Sequence, residues 1–135
     1  KRIAKLNELN SINWVCENAF DYMRELHRKG EKFDLVLMDP PSFAKNKASV
    51  PNALRGYKEL CVRALHVLKR GGILILYSCS FHITLEHLIE VLVDAGKDVK
   101  RQLRVIDITY QDLDHPWILS MPNTLYLKGI YAEVL

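Results

Sequence analysis

Two short stretches of the chain carry side chains able to do covalent or proton-transfer chemistry at the end of a strand. Asp39-Pro40-Pro41-Ser42-Phe43 sets a carboxylate before two prolines, and Ser78-Cys79-Ser80 sets a thiol between two hydroxyls. A thiolate is a strong nucleophile, and a carboxyl group can hold or hand over a proton. Each stretch also has a purely structural reading: a thiol at a strand end is commonly an inert apolar side chain, and Asp-Pro-Pro can simply terminate a strand. Cys16 and Cys61 fall on a short strand and on an apolar helix stripe, so both are expected in the core. The three cysteines are far apart and in no metal-ligand spacing, which fits reduced thiols. His82 and His87 lack a third ligand, so no metal site is expected.

The elements that must position these groups alternate short apolar runs with amphipathic stretches, the pattern of a sheet covered by helices. Residues 1 to 9 read as helical, Trp14 to Glu17 as a short strand, and Phe20 to Lys29 as a helix stopped by Gly30. Phe33 to Met38 is an apolar strand apart from Asp34, and it must end at Asp39 because two consecutive prolines forbid ladder pairing. Loops at the C-terminal ends of strands are where open α/β sheets place ligands. From Val50 to Leu68, Leu54, Tyr57, Cys61, Ala64, Leu65 and Leu68 recur at threes and fours, predicting one long surface helix. Gly71-Gly72 reads as a turn into a buried strand, Ile73 to Tyr77. It is not a phosphate cradle, because a strand and not a helix follows it. Thr84 is a candidate N-cap for a helix closed by Gly96. Two long strands follow, Lys100 to Thr109 and Thr124 to Val134, with no room for a crossover helix, so they are expected to be antiparallel.

Composition bounds the class. With 49% hydrophobic and 26% charged residues in 135, one folded domain without disulfides is expected. No apolar run approaches a membrane span and residues 1 to 15 show no signal-peptide pattern, so a cytoplasmic location is expected. The net charge is only +3, but residues 43 to 70 hold seven basic side chains (Lys45, Lys47, Arg55, Lys58, Arg63, Lys69, Arg70) against the single acid Glu59. Such a cluster is either a solvated helix face or a surface for a polyanion.

The two motifs, together with Asp114-His115-Pro116 and Tyr126-Leu127-Lys128-Gly129, occur in an order and spacing that resembles the RlmI-type ribosomal RNA cytosine methyltransferases. The similarity runs over essentially the whole chain and takes in Arg55-Gly56-Tyr57-Lys58 and Ala95-Gly96-Lys97-Asp98-Val99. It implies a class I, Rossmann-like methyltransferase fold with sheet order 3-2-1-4-5-7-6, S-adenosylmethionine as cofactor and large-subunit ribosomal RNA as partner. It also implies that this chain is the C-terminal part of the catalytic domain. The family's strands 3 to 7 are present and its strands 1 and 2 are missing, since the glycine-rich turn and ribose acid of a nucleotide site are absent before Gly30. By the same resemblance Cys79 matches the nucleophile that adds to carbon 6 of cytosine, and Asp39 the acid that pairs with N3 of the base. Asn18 stands where relatives often carry an aspartate on the adenine amino group. The implied cofactor side is thus Asn18, Phe20, Asp39 and Pro40, and the substrate side is Pro41, Phe43, Lys45, Lys47, Arg55, Lys58 and His115.

Two rivals remain open at this point. An exocyclic-amine methyltransferase would also use a Pro-Pro-aromatic motif, leaving Cys79 incidental. A truncated module could bind RNA or a partner without catalysis. The chain alone is expected to be inactive and to bind the cofactor weakly. The edge of strand Phe33 to Met38 is expected to need a cover, either the Trp14 to Glu17 strand or, the favoured alternative, a second copy of the chain.

Overall fold

The computed structural model describes residues 1–135. A four-stranded sheet has the order β1-β2-β4-β3, in which β1 (Phe33–Met38) runs parallel to β2 (Leu68–Ser78). The remaining strands, β3 (Leu103–Tyr110) and β4 (Lys128–Val134), form an antiparallel pair, and β4 is antiparallel to β2 as well. This is the 4-5-7-6 portion of the order implied by the resemblance. The helices are α1 (Arg2–Leu6), α2 (Ala19–Arg28), α3 (Val50–Val67) and α4 (Leu85–Asp98).

The core lies between the sheet and the α3–α4 pair. The predicted stripe of α3 is what buries: Tyr57, Cys61, Ala64 and Leu65 have no exposed surface, and they pack with Leu74 and Leu76 of β2, Leu88 of α4 and Ile130 of β4. Burial pushes the Cys61 thiol up to about 12, so it is an inert core group as expected. The start of α3 is prepared by a 3-10 turn, Lys47–Ser49, in which Asn46 and Ser49 cap each other reciprocally. Thr84 and His87 do the same for α4, so Thr84 is the N-cap that was expected.

Several boundaries differ from the sequence reading. Trp14 to Glu17 forms no strand: the residues carry no ladder, and Trp14, Val15 and Cys16 are exposed, so Cys16 is not a core residue. Residues 12 to 15 lie along a groove lined by side chains of α2 and β1, whose backbone edge they do not meet. A strand exists only where a neighbouring backbone offers donors and acceptors in register. The cover by strand Trp14 to Glu17 is therefore absent, and β1 pairs on one side only, with Leu35 and Leu37 half exposed.

Gly71-Gly72 is a bulge inside β2, not a turn before it. The ladder already pairs Leu68 with Phe33, then slips before Ile73 meets Leu35. Gly71 takes φ +76°, and a Cβ at Gly72 would sit 3.0 Å from the Lys69 carbonyl. Gly96 does not close α4, which runs two residues further to Asp98. It is glycine because the returning chain brings the Arg101 carbonyl to 2.8 Å from where its Cβ would be. The left-handed residue beyond the helix is Lys100, φ +56°. Both C-terminal strands also begin later than predicted: β3 at Leu103, after the left-handed turn at Lys100, and β4 at Lys128, after residues 122–124 form a 3-10 turn.

Candidate active site

Since β1 and β2 are parallel neighbours with Met38 opposite Leu76, Asp39 and Ser78-Cys79-Ser80 leave the sheet side by side at its C-terminal edge. The prolines after Asp39 end one ladder, and the last β2–β4 pair, Ser78 with Lys128, ends the other. Asp39 is exposed and makes neither a hydrogen bond nor an ion pair within the fold, whereas Cys79 is half-buried. Beneath them lies Tyr57 of α3. Burial pushes its phenol up, the bond to Ser78 works against that, and negative charge on Cys79 or Asp39 pushes it up further.

The loop carrying Cys79 is held by a buried polar network. The Tyr57 hydroxyl donates to the Ser78 hydroxyl at 2.9 Å, and the Ser80 amide donates to the same oxygen at 3.3 Å. The Ser80 hydroxyl donates at 2.8 Å to the carbonyl of Ala44, which lies just beyond the Asp39-Pro40-Pro41 loop and so joins the two motifs. From β4, the Lys128 ammonium donates to the carbonyls of Ser80, at 2.6 Å, and Ile83. Every hydroxyl of the triplet is thereby committed, and the Cys79 thiol alone has no partner. Tyr57 and Lys128 carried no site role in the sequence. The signal that could have marked Lys128 is a lysine opening a run of otherwise largely apolar strand residues.

The other sequence-named residues are placed less uniformly. Phe43 packs on Tyr57 with ring centroids 5.0 Å apart, while Pro41, Lys45 and Lys47 are exposed on the same loop. Arg55 is exposed one turn into α3, and Lys58 pairs with Asp98 at 3.0 Å. An open cleft of about 740 Å³ joins Asp39 to His115, Tyr126, Tyr77, Tyr110 and Tyr131. His115 is held there by the Tyr126 hydroxyl, 3.1 Å from its Nδ1. The cleft wall is braced by Gln111, whose amide donates to His115 and Thr124 carbonyls and accepts from the Tyr126 and Leu127 amides. Cys79 is not among the cleft's lining residues.

On the cofactor side, α2 is joined to β1 by residues 29 to 32 and packs against α3. Asn18 caps this helix, its side-chain oxygen accepting from the amides of Phe20 at 3.0 Å and Asp21 at 3.4 Å. The acceptor that was expected to meet an adenine amino group thus already serves the helix. Phe20 is half-buried against the core, with the Arg63 guanidinium 5.9 Å from its ring centroid, and Pro40 is half-buried. Of the two histidines singled out in the sequence, His87 accepts at Nδ1 from the Thr84 amide as part of the cap of α4.

No protein-family model matches the chain. Over 98% of its length it is 39% identical to ribosomal RNA large subunit methyltransferase I of Yersinia pestis bv. Antiqua (strain Angola), and 38% identical to the protein of the same name from Yersinia pseudotuberculosis serotype O:1b. The chain spans 35% of the length of these relatives. Among solved structures, SMU.776 complexed with SAH aligns over 89% of this chain and 31% of its own, at a TM-score of 0.75 and 24% identity. Trm5b from Pyrococcus abyssi aligns over 97% of this chain and 32% of its own, at 0.61 and 14%. At these identities the structural matches speak for the fold alone, and that fold is the mixed α/β sheet of the methyltransferases. In sequence these 135 residues match about a third of the length of the RlmI-type ribosomal RNA large subunit methyltransferases, and in fold they match the mixed α/β sheet of methyltransferases.

Proposed function

We propose that the protein containing these residues methylates carbon 5 of a cytosine in large-subunit ribosomal RNA, through a covalent bond between Cys79 and the base. The observation that carries this reading is the state of Cys79. It is an unpartnered thiol between two hydroxyls that are both hydrogen-bonded, next to an unpartnered carboxylate at the ends of adjacent parallel strands.

Carbon 5 of cytosine is a weak nucleophile. Addition of the Cys79 thiolate to carbon 6 moves the ring's 5,6 electron pair onto carbon 5, which can then attack a methyl group. Asp39, placed at N3 of the base, shares a proton there and lowers the cost of the charge that builds on the ring. Loss of the carbon 5 proton to solvent water acting as base then restores the double bond and expels the Cys79 thiolate. S-adenosylmethionine, when bound, supplies the methyl group. Asn18, Phe20, Asp39 and Pro40 are the residues of this stretch that face it in the proposal, and they offer only part of a cofactor site.

The test is RNA carrying 5-fluorocytosine. Fluorine cannot leave as a proton, so the full-length protein should stop at a covalent complex that maps to Cys79 by mass spectrometry. Turnover with no complex would move the reading to transfer onto an exocyclic amine, where the Pro-Pro-aromatic loop grips the base and Cys79 is a bystander.

For the RNA backbone, Lys45, Lys47 and Arg55 are exposed and free of ion pairs, while the charge of Lys58 is partly answered by Asp98. Neutralising the first three together should weaken RNA binding and lower the slope of log affinity against log salt by about 2, at roughly 0.7 per lost single-strand phosphate contact. Lys58→Gln should change it less. Filter binding across a salt series checks this, and an unchanged slope would return the cluster to a solvated helix face. For the 135 residues taken alone we infer that a second copy would add a strand at the open edge of β1, the place that strand 1 holds in the sheet order implied for the whole domain.

A further inference from the structure

Lys128 is 6% exposed and sits directly opposite Ser78 in the β2–β4 ladder, so the two side chains leave the same face of the sheet. Its ammonium meets no carboxylate. Its partners are two backbone carbonyls, Ser80 O at 2.6 Å and Ile83 O, which lie in the turn directly after Cys79. Holding a cation in such a place is costly, and a methionine of similar shape would spare that cost. The fold itself has little need of the charge: the strand register is set by the backbone ladder, and the core beside it is apolar.

We propose that Lys128 is a positioning residue for the Cys79 nucleophile. By gripping the carbonyls of Ser80 and Ile83 it fixes the backbone on one side of the thiol, while the Tyr57–Ser78 bond fixes the other, and it sets a buried positive charge beside the sulfur as the thiolate forms. Burial pushes the Lys128 ammonium down, and negative charge on Cys79 works against that, which agrees with a cation that shares its surroundings with the nucleophile. The proposal rests on the reading of Cys79 as nucleophile.

The experiment uses the full-length protein and the rate of covalent trapping by 5-fluorocytosine RNA, with kcat and KM for unmodified RNA measured alongside. Lys128→Met should slow trapping and lower kcat by about 100-fold, the scale set by an ångström of misplacement. KM for RNA and cooperative thermal unfolding should stay near the parent's. Lys128→Arg, which keeps the charge and the donors, should recover most of the trapping rate. If Lys128→Met fails to fold, Lys128→Gln keeps two N–H donors without the charge. Slowed trapping in that variant supports the proposal, and parental trapping overturns it. Trapping at the parental rate in Lys128→Met, or equal loss in Lys128→Met and Lys128→Arg, also overturns the role of Lys128 while leaving Cys79 as nucleophile. Absence of trapping in the parent removes both.

Discussion

Replacing Cys79 by serine in the full-length protein should reduce methyl transfer to RNA to below about one thousandth of the parental rate, because a hydroxyl is scarcely ionised at neutral pH and cannot add to carbon 6. The change is small in every other respect. The thiol makes no hydrogen bond, is half-buried, and exchanges one sulfur atom for oxygen, so stability and RNA affinity should stay close to those of the parent. A tritium-transfer assay on unmodified large-subunit RNA, paired with filter binding, separates the two effects. Activity within tenfold of the parent would show that no cysteine-linked intermediate lies on the path, and the amine-methylating reading would take its place.

Asp39→Asn should lower the single-turnover rate by about 100- to 1000-fold, the size seen when one group that stabilises developing charge is removed. Asparagine keeps the shape and can still donate to N3, so substrate should bind nearly as before. What is lost is a proton that can be shared as charge builds on the ring. The carboxylate has no structural task that would confuse the result: it is exposed and lies outside every ion pair and hydrogen bond of the fold. A rate within threefold of the parent would reduce Asp39 to a strand terminator, the plain reading that its two following prolines also allow.

Much of the frame was legible because it depends on local periodicity. The stripe through Tyr57, Cys61, Ala64 and Leu65 announces both the length of α3 and the face it buries, since only residues at threes and fours share one side of a helix. The paired prolines after Asp39 and the cap at Thr84 mark boundaries by backbone chemistry alone, and both lie where the sequence puts them. The closing antiparallel pair followed from the absence of any segment long and amphipathic enough to cross over.

What the chain could not announce locally is whatever depends on a distant neighbour. Trp14 to Glu17 has the composition of a strand but meets no backbone partner, so it forms no ladder and its apolar side chains stay exposed along the groove it shares with α2 and β1. Gly96 looks like a helix stop; the requirement for glycine comes from the Arg101 carbonyl, which reaches it only after the chain has turned back. The basic cluster of residues 43 to 70 reads as uniform, yet tertiary structure divides it. Asp98 takes up Lys58 and Asp34 takes up Lys69, while Lys45, Lys47 and Arg55 remain free. The candidate site shows the same division. Residue type, order and the family resemblance were enough to single out Asp39 and Cys79 as candidates, because the proposed chemistry calls for a carboxyl and a thiol at strand ends. Only the parallel register of β1 and β2 brings them side by side, and only the folding of β4 against β2 carries Lys128 across 48 residues of chain to the backbone beside the thiol.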